Sequence, residues 1–297
     1  MIIAPYGKKD GEPSVICLGG FDSLHRGHRA IIKRAGELKT RFSAKLVVMT
    51  FGEESFGIDK FKNVVFTFDE RMDILQKLGA DEVIVAEYTP DFIKKSALDF
   101  LNELADNRLI AGLICGKDYT FGACGQGNVN LLARFCSEKG IYFETVDFVT
   151  DETGEKISTM KIKQALSCGD VKRAGEYLGA AFFIDGVVVK GRQVGRTIGF
   201  PTANVCPGEK KIALKAGVYA TTVQTGGKSY RAITNYGSAP TFGVEKTVIE
   251  SFLDVFNGDL YGKKIRINFD FYIRDIKKFQ SAEQLDSQLC EDLKVIR

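Results

Sequence analysis

The stretch Ser14–His28, SVICLGGFDSLHRGH, decides the fold of the N-terminal half. An apolar run with the length of a buried strand leads into a turn of sequence GGFD, and a helical pattern follows. Both histidines of the 297-residue chain, His25 and His28, lie at the start of that helix. The order of strand, glycine turn and helix is typical of α/β nucleotide-binding sheets.

The turn and the two histidines predict a phosphate site. Ligands of an open parallel sheet bind beyond the carboxyl ends of its strands, and a helix N-terminus presents N–H groups and a positive dipole there. A glycine between the imidazoles lets the backbone approach while both rings donate to phosphate oxygens, which suits attack on an α-phosphate with pyrophosphate leaving. The residues of this predicted site are Gly19, Phe21, Asp22, His25, Gly27 and His28.

On spacing alone, the histidine pair is also compatible with two simpler roles. Two exposed histidines at a helix start can have no function at all. A metal site is weaker, because a pair without a third histidine must recruit carboxylates, whereas zinc prefers nitrogen and sulfur ligands. The strand–turn–helix context favours nucleotidyl transfer over both.

The rest of the N-terminal half repeats the alternation of strands and helices. β-Rich runs such as KLVVMTF (45–51) alternate with helical patterns, and Thr67 with Glu70 forms a capping box. The strands lack strict polar alternation, as expected of a parallel sheet covered on both faces. We predict a Rossmann-like α/β domain over residues 1–180.

The C-terminal half has the period of antiparallel strands. GVYATTVQTGGKSYRAITNYG (217–237) predicts two strands joined by a Gly-Gly turn, and a helix with Ser281 as its N-cap ends the chain. KIRINFDFYIR predicts a strand with one apolar face, formed by Ile265, Ile267, Phe269, Phe271 and Ile273. We predict an antiparallel β-barrel with a terminal helix over residues 181–297, preceded by two short helices that break at Gly169.

Composition excludes several classes of protein. The chain is 44% hydrophobic and 27% charged, and its net charge of +3 is too small for a nucleic-acid surface. It has no apolar run of membrane-spanning length, and its N-terminal residues lack the pattern of a signal peptide. The seven cysteines form no CxxC pair, which predicts buried, reduced thiols. We expect a cytoplasmic monomer or weak oligomer without nucleic-acid or membrane partners.

A glycine-rich segment, GRQVGRTIGFPTAN (191–204), predicts a second phosphate site. Gly191, Gly195 and Gly199 let the backbone pass close to phosphates. Thr202 and Asn204 follow as hard oxygen donors suited to Mg²⁺ bound with ATP. The glycines alone are equally compatible with a tight turn between two strands that binds no phosphate.

Glu250 is the candidate for acid–base chemistry. A strand over VIESFLDVF (248–256) places it on one face with Val248, Phe252, Asp254 and Phe256. Aromatic neighbours partly desolvate a carboxylate and make it a better base for a hydroxyl that attacks the γ-phosphate of ATP. Taken alone, a strand glutamate more often faces solvent or forms an ion pair.

These segments occur in the order of a known family. GGFDSLHRGH resembles the G-x-FD-x-x-H-x-GH signature of the HxGH nucleotidyltransferases. GKDYTFG (116–122) and ISTMKIK (157–163) lie where prokaryotic bifunctional riboflavin kinase/FAD synthetases carry similar segments. GFPTAN, NYGSAPTF, IESFLDVFNGDLYG and IRDIKKF follow the order of the riboflavin kinase half, so the resemblance covers essentially the whole chain.

The resemblance implies two reactions. ATP would phosphorylate riboflavin to FMN in the barrel, with Glu250 as the base and Mg²⁺ on the phosphates. FMN would then be adenylylated to FAD in the first domain, with release of pyrophosphate. The resemblance also places Asp118 near the flavin or nucleotide, Arg274 near the flavin, and Lys163 on a phosphate of the adenylylation site.

The chain departs from the family's pattern at several positions. GEESFG (52–57) replaces a usual Pro-His-Pro segment, and Ser23 replaces a glycine. Met160 and Lys163 replace a hydroxyl and an arginine, and a lysine lacks the bidentate geometry of arginine. Two alternatives therefore stay open: a kinase whose first domain has lost transfer chemistry, and, from another class, a flavin-sensing binding protein.

Overall fold

The computed structural model describes residues 1–52, 63–191, 200–241 and 244–297. The chain divides into two compact units, Met1–Thr159 and Met160–Arg297. The two short helices before the barrel therefore belong mainly to the second unit, and the domain boundary at residue 180 stays a prediction.

The first unit is built on a parallel sheet, as predicted. The described residues form six strands in the order β1-β4-β3-β2-β5-β6, and every neighbouring pair is parallel. The strands are β1 Ile2–Pro5, β2 Asp10–Leu18, β3 Lys45–Phe51, β4 Glu82–Ala86, β5 Arg108–Gly116 and β6 Tyr142–Val146. Because the chain runs outward from β2 in both directions, the switch point of the sheet lies between β2 and β5.

Helices cover this sheet and begin at the capping residues that the sequence provides. They are α1 Arg26–Phe42, α2 Phe68–Lys77, α3 Pro90–Lys94, α4 Ala97–Asn107 and α5 Val129–Lys139. The predicted capping box of Thr67 and Glu70 is present at the start of α2. Residues 15–18 of β2 are at most 1% exposed, as expected of a strand buried on both faces.

The second unit is an antiparallel sheet that closes on itself. Its strands follow the order β7-β12-β9-β10-β11-β8. They are β7 Phe182–Val187, β8 Thr202–Val205, β9 Gly217–Thr225, β10 Lys228–Thr241, β11 Val244–Leu253 and β12 Lys264–Arg274. Directly after β7, the N–H of Val189 donates to Asn204 O on β8 at 2.8 Å, which joins the two edges of the sheet into the predicted barrel.

Three helices accompany the barrel: α6 Thr159–Ser167, α7 Val171–Leu178 and α8 Ala282–Ile296. Gly169 separates α6 from α7 in a left-handed conformation (φ +83°), which confirms the predicted break. Ser281 caps α8 as predicted. Leu293 of α8 packs with Val218 and Ile233, so this helix covers the outer face of β9 and β10.

Two predicted strand patterns are wrong in detail. Ile265, Ile267 and Phe269 are buried, but a register shift between β12 and β9 follows Phe269, and Phe271 is 38% exposed. Because a shift of one residue exchanges the two faces of a strand, Phe271 leaves the buried face. β11 ends at Leu253, so Asp254 and Phe256 lie in the following loop instead of on the face of Glu250.

The seven cysteines are all free, but the prediction that they are buried is wrong for most of them. Only three are buried, namely Cys17, Cys115 and Cys136, and the exposed ones are Cys124, Cys168, Cys206 and Cys290. The buried thiols lie on strands and a helix of the first core, whereas the exposed Cys168 and Cys206 lie in a turn and a loop. Among the described residues, every helix is too short or too polar to cross a lipid bilayer.

Candidate active sites

The first candidate site lies at the carboxyl ends of β2 and β5. Leu18, the last residue of β2, pairs with Cys115 near the end of β5. The GGFD turn follows β2, and the GKDY segment with Asp118 follows β5. Both segments therefore leave the sheet at its switch point, where open parallel sheets form their ligand crevice.

The turn that carries the histidines has an unusual backbone. Phe21 (φ 48°) and Leu24 (φ 47°) adopt left-handed conformations that non-glycine residues rarely take, and both side chains are fully buried. At Gly19, a Cβ would lie 2.9 Å from the ring of Phe21, so only glycine fits there. Such a costly conformation persists because the surrounding core determines it.

His25 is the N-cap of α1. Its Nδ1 accepts the N–H groups of Gly27 at 3.1 Å and of His28 at 3.3 Å. A Cβ at Gly27 would approach the His25 ring to 2.9 Å, which explains why glycine stands between the two histidines. Because Nδ1 accepts, the proton of a neutral His25 ring lies on Nε2. These two N–H groups are thus used by His25, and Nε2–H is the donor that His25 can offer to a phosphate.

The two imidazoles are stacked and neutral. Their centroids lie 3.8 Å apart at an interplanar angle of 15°, and the ring of Phe21 lies 5.2 Å from His28. Burial, followed by the positive charge of Lys156, lowers the pKa of His25 to about 4. Burial and then His25 itself hold the pKa of His28 well below its usual range. Both rings are therefore uncharged hydrogen-bonding groups near neutral pH.

Two further segments converge on this turn. Asp118 is exposed and forms an ion pair with Lys156, whose ammonium also lies 4.2 Å from the centroid of the Phe148 ring. The hydroxyls of Ser23 and Thr159 are 2.8 Å apart. The serine that replaces the family's glycine thus binds the ISTM segment directly.

Sequence reasoning missed Lys156 at this site. The only signal was its place, immediately before ISTMKIK. Lys163 lies on α6 in the second unit, and its implied role stays a prediction. Asp22 lies in the GGFD turn and is half-buried. The rest of GEESFG after Gly52 lies outside the described residues.

The second candidate site is a cleft of about 430 Å³ on the barrel. Thr202 and Asn204 line it from β8. The loop after β11 supplies the opposite side, through Phe256, Asn257, Asp259 and Tyr261. The sequence analysis included this loop in the family segment IESFLDVFNGDLYG but predicted no site residue in it, although the turn-forming run Asn-Gly-Asp was a signal for a loop.

Glu250 lies directly beside this cleft. It pairs with Asn204 on β8 and with Asn235 on β10, so the three side chains share one face of the sheet. Glu250 is half-buried. The ring of Phe252, two residues along the same face, lies 4.9 Å from that of Phe200 in an apolar cluster with Leu293. The predicted aromatic neighbour is therefore Phe252, whereas Phe256 lines the cleft from the loop.

The glycine-rich segment is described only at its ends. A Cβ at Gly191 would lie 2.5 Å from the side chain of Asn204, so glycine allows the segment after β7 to approach β8 closely. Asn204 is buried, and its Nδ2 lies 3.4 Å from both the hydroxyl and the carbonyl oxygen of Thr202. Gly195 and Gly199 lie outside the described residues.

Arg274 is engaged by the terminal helix. Its guanidinium binds both oxygens of the buried Asp292, with Nε–Oδ1 at 3.0 Å and Nη2–Oδ2 at 2.7 Å. The carboxylate of the neighbouring Asp275 pairs with Lys215. The implied role of Arg274 near the flavin stays a prediction. In the described part of the chain, no group of three His, Cys, Asp or Glu residues could hold a metal ion.

Comparison with known proteins gives a family for each half of the chain. A family model of FAD synthetase matches residues 7–161, and one of riboflavin kinase matches residues 178–297. The bifunctional riboflavin kinase/FMN adenylyltransferase of Bacillus subtilis (strain 168) is 32% identical to this chain, with 96% of this chain and 92% of that protein covered. The same enzyme of Escherichia coli (strain K12) is 33% identical, with coverages of 95% and 91%.

A solved structure has the same fold over its full length. Its name is macrolide-efflux protein from Streptococcus pneumoniae. The match has a TM-score of 0.90 and 31% sequence identity, and it covers 100% of this chain and 99% of that chain. Taken with the two family models and the bacterial relatives, the HRGH turn and the barrel face of Glu250 assign the chain to one family. The chain belongs to the bifunctional riboflavin kinase/FMN adenylyltransferases.

Proposed function

We propose that the chain phosphorylates riboflavin to FMN in the barrel and adenylylates FMN to FAD in the α/β unit, with ATP as the donor in both steps. The observation that carries the proposal is that one chain holds both kinds of site. A stacked pair of neutral histidines lies at the switch point of a parallel sheet, and Glu250 lies beside the buried Asn204 on the barrel.

The kinase step needs a base, and we propose Glu250 for this role. Its carboxylate would accept the proton of the primary hydroxyl of riboflavin as that oxygen attacks the γ-phosphorus of ATP and ADP leaves. Glu250 is half-buried, and Phe252 lies two residues along the same face of β11. The pairing with Asn204 and Asn235 holds its strand position.

The barrel cleft has donors that fit Mg²⁺. The Thr202 hydroxyl and the Asn204 amide oxygen are hard, neutral ligands on neighbouring positions of one strand face. Mg²⁺ usually takes few ligands from the protein and the others from phosphates and water, so two such donors suffice. When bound, the ion would offset the negative charge of the ATP phosphates, and Thr202 and Asn204 would hold it.

The adenylylation step needs no base, because the FMN phosphate is already an anionic nucleophile. Its oxygen would attack the α-phosphorus of ATP, and pyrophosphate would leave. His25, through Nε2–H, and His28 would donate hydrogen bonds to the phosphate oxygens as charge develops. The ion pair of Lys156 with Asp118 keeps a positive charge close to both rings.

Incubation with riboflavin, ATP and Mg²⁺, followed by chromatography of the flavins over time, tests the proposal. FMN that rises first and is then converted to FAD is the expected result. FMN that accumulates without FAD would support the kinase assignment and contradict the assignment of FAD synthesis. Unchanged riboflavin in a folded sample would overturn the kinase assignment and favour the flavin-sensing alternative.

We also propose that the partners of this chain are small molecules only. The net charge of +3 supports the absence of a nucleic-acid partner. A cytoplasmic location and a monomeric or weakly oligomeric state complete the proposal. Sedimentation at micromolar concentration measures the oligomeric state directly.

A further inference from the structure

A chain of two hydrogen bonds, the first of them buried, joins α2 to the turn before the histidines. Arg71 Nη1 donates to Thr50 Oγ1 at 2.8 Å, and the Thr50 hydroxyl donates to Gly20 O at 2.7 Å. Nη2 of the same guanidinium donates to Phe51 O at 2.9 Å. Arg71 is 2% exposed and Thr50 is 1% exposed, so the bond between these two side chains is buried, whereas Gly20 itself is exposed.

A fully buried arginine is unusual, because removing a cation from water is costly. Simple packing of α2 on β3 does not need one. An arginine that donates to a hydroxyl polarises it, and the hydroxyl then forms a stronger hydrogen bond of its own. The charge of Arg71 thus acts through Thr50 on the carbonyl group of Gly20.

The Gly20 carbonyl controls the geometry of the site. It belongs to the same planar peptide unit as the N–H of Phe21, so holding the oxygen fixes the plane from which the left-handed Phe21 continues. The Phe21 ring in turn lies against His28. Rotation of this one peptide unit would move the ring that supports the histidine stack.

We infer that Arg71 and Thr50 are positioning residues for adenylyl transfer, which hold the GGFD turn in the conformation that aligns His25 and His28. This inference rests on the proposed function and assigns to it two residues from outside the turn. Neither residue touches the reacting groups. Their effect is on the orientation of those that do.

Three variants separate positioning from packing. Thr50→Val keeps the volume and removes the hydroxyl, Thr50→Ser keeps the hydroxyl, and Arg71→Met removes the charge. FAD formation from supplied FMN gives kcat and the KM for ATP, and riboflavin phosphorylation by the same chain reports whether the barrel is intact. Amide hydrogen exchange of peptides that span residues 19–24 reports the rigidity of the turn without any assumption about activity.

We expect Thr50→Val and Arg71→Met to lower kcat/KM for FAD formation at least about tenfold. Thr50→Ser should retain most of it, riboflavin phosphorylation should stay unchanged, and exchange should accelerate in residues 19–24 only in the two damaging variants. Equal kinetics for Thr50→Val and wild type, or equal loss in Thr50→Ser, would overturn the inference. If the wild type makes no FAD, the proposed function fails, and the exchange of residues 19–24 alone decides the inference.

Discussion

In the proposed function, the two candidate sites handle the phosphates of ATP with different chemistry. The α/β unit presents two stacked, neutral imidazoles, and the barrel presents the carboxylate of Glu250 beside Asn204. The nucleophile explains the difference. The phosphate of FMN is anionic before it attacks, so its site needs hydrogen-bond donors, whereas a hydroxyl must lose a proton, so its site needs a base. In this proposal, the first site supplies hydrogen-bond donors to the phosphate oxygens, and the second supplies a base for the hydroxyl.

Replacing Glu250 should separate the two activities most strongly. We expect Glu250→Gln to reduce riboflavin phosphorylation about 10³-fold, because removal of a general base costs 10²–10⁴-fold, and to leave FAD formation from supplied FMN unchanged. Separate assays with riboflavin and with FMN measure both. Glu283→Gln, at an exposed carboxylate of α8, is the matched control and should affect neither rate. Riboflavin phosphorylation at an unchanged rate in the Glu250→Gln variant would contradict the assignment of Glu250 as the base.

Replacing His28 should affect the two activities in the opposite way, with FAD formation lowered and riboflavin phosphorylation kept. We expect His28→Asn to lower FAD formation about 10²-fold, the typical loss when one donor to a developing charge is removed, with riboflavin phosphorylation unchanged. The same pair of assays applies. A loss of both activities would mean that the variant disturbs the fold and not the site.

The neutrality of His25 makes the first unit sensitive to acid. Its pKa is about 4 in the folded chain and about 6.5 when unfolded, so below pH 6.5 the unfolded state binds the proton more readily. The contribution of His25 to the free energy of unfolding is therefore fully present above about pH 6.5. It declines as the pH falls towards 4, by up to about 3 kcal/mol. Hydrogen exchange of β2 and β5 measures the loss.

His25→Asn is the control for that measurement. Asparagine caps a helix well but does not titrate, so the variant should lose less stability between pH 7 and pH 4.5 than the wild type. Parallel curves for the two proteins would show that His25 is not the titrating group.

Asn204 should have the smallest effect of these changes. We expect Asn204→Ala to raise the Mg²⁺ concentration required for riboflavin phosphorylation about tenfold, since one of two proposed protein ligands is lost. Saturating Mg²⁺ should restore most of the rate. An unchanged Mg²⁺ requirement would remove Asn204 from the proposed metal ligands, and FAD formation from FMN serves as the internal reference.

Local patterns predicted the elements but not their irregularities. The strand–turn–helix of SVICLGGFDSLHRGH, the capping box of Thr67 and the Gly-Gly hairpin at residues 226–227 follow from rules that act over a few residues, and the structure has all of them. The shift that exposes Phe271 depends on the pairing of β12 with β9, which alternation within one strand does not record. The end of β11 at Leu253 likewise depends on its partners.

The sequence by itself determined the class of each unit and several candidate residues of the two sites. His25, His28, Thr202, Asn204 and Glu250 were all found there, because their types and spacing are local properties. The tertiary structure alone decided which groups meet. It put Asn204 opposite Glu250 and made both histidines neutral through burial. Lys156 reaches the first site, and Arg71 acts on Gly20 through Thr50, only because distant segments pack together.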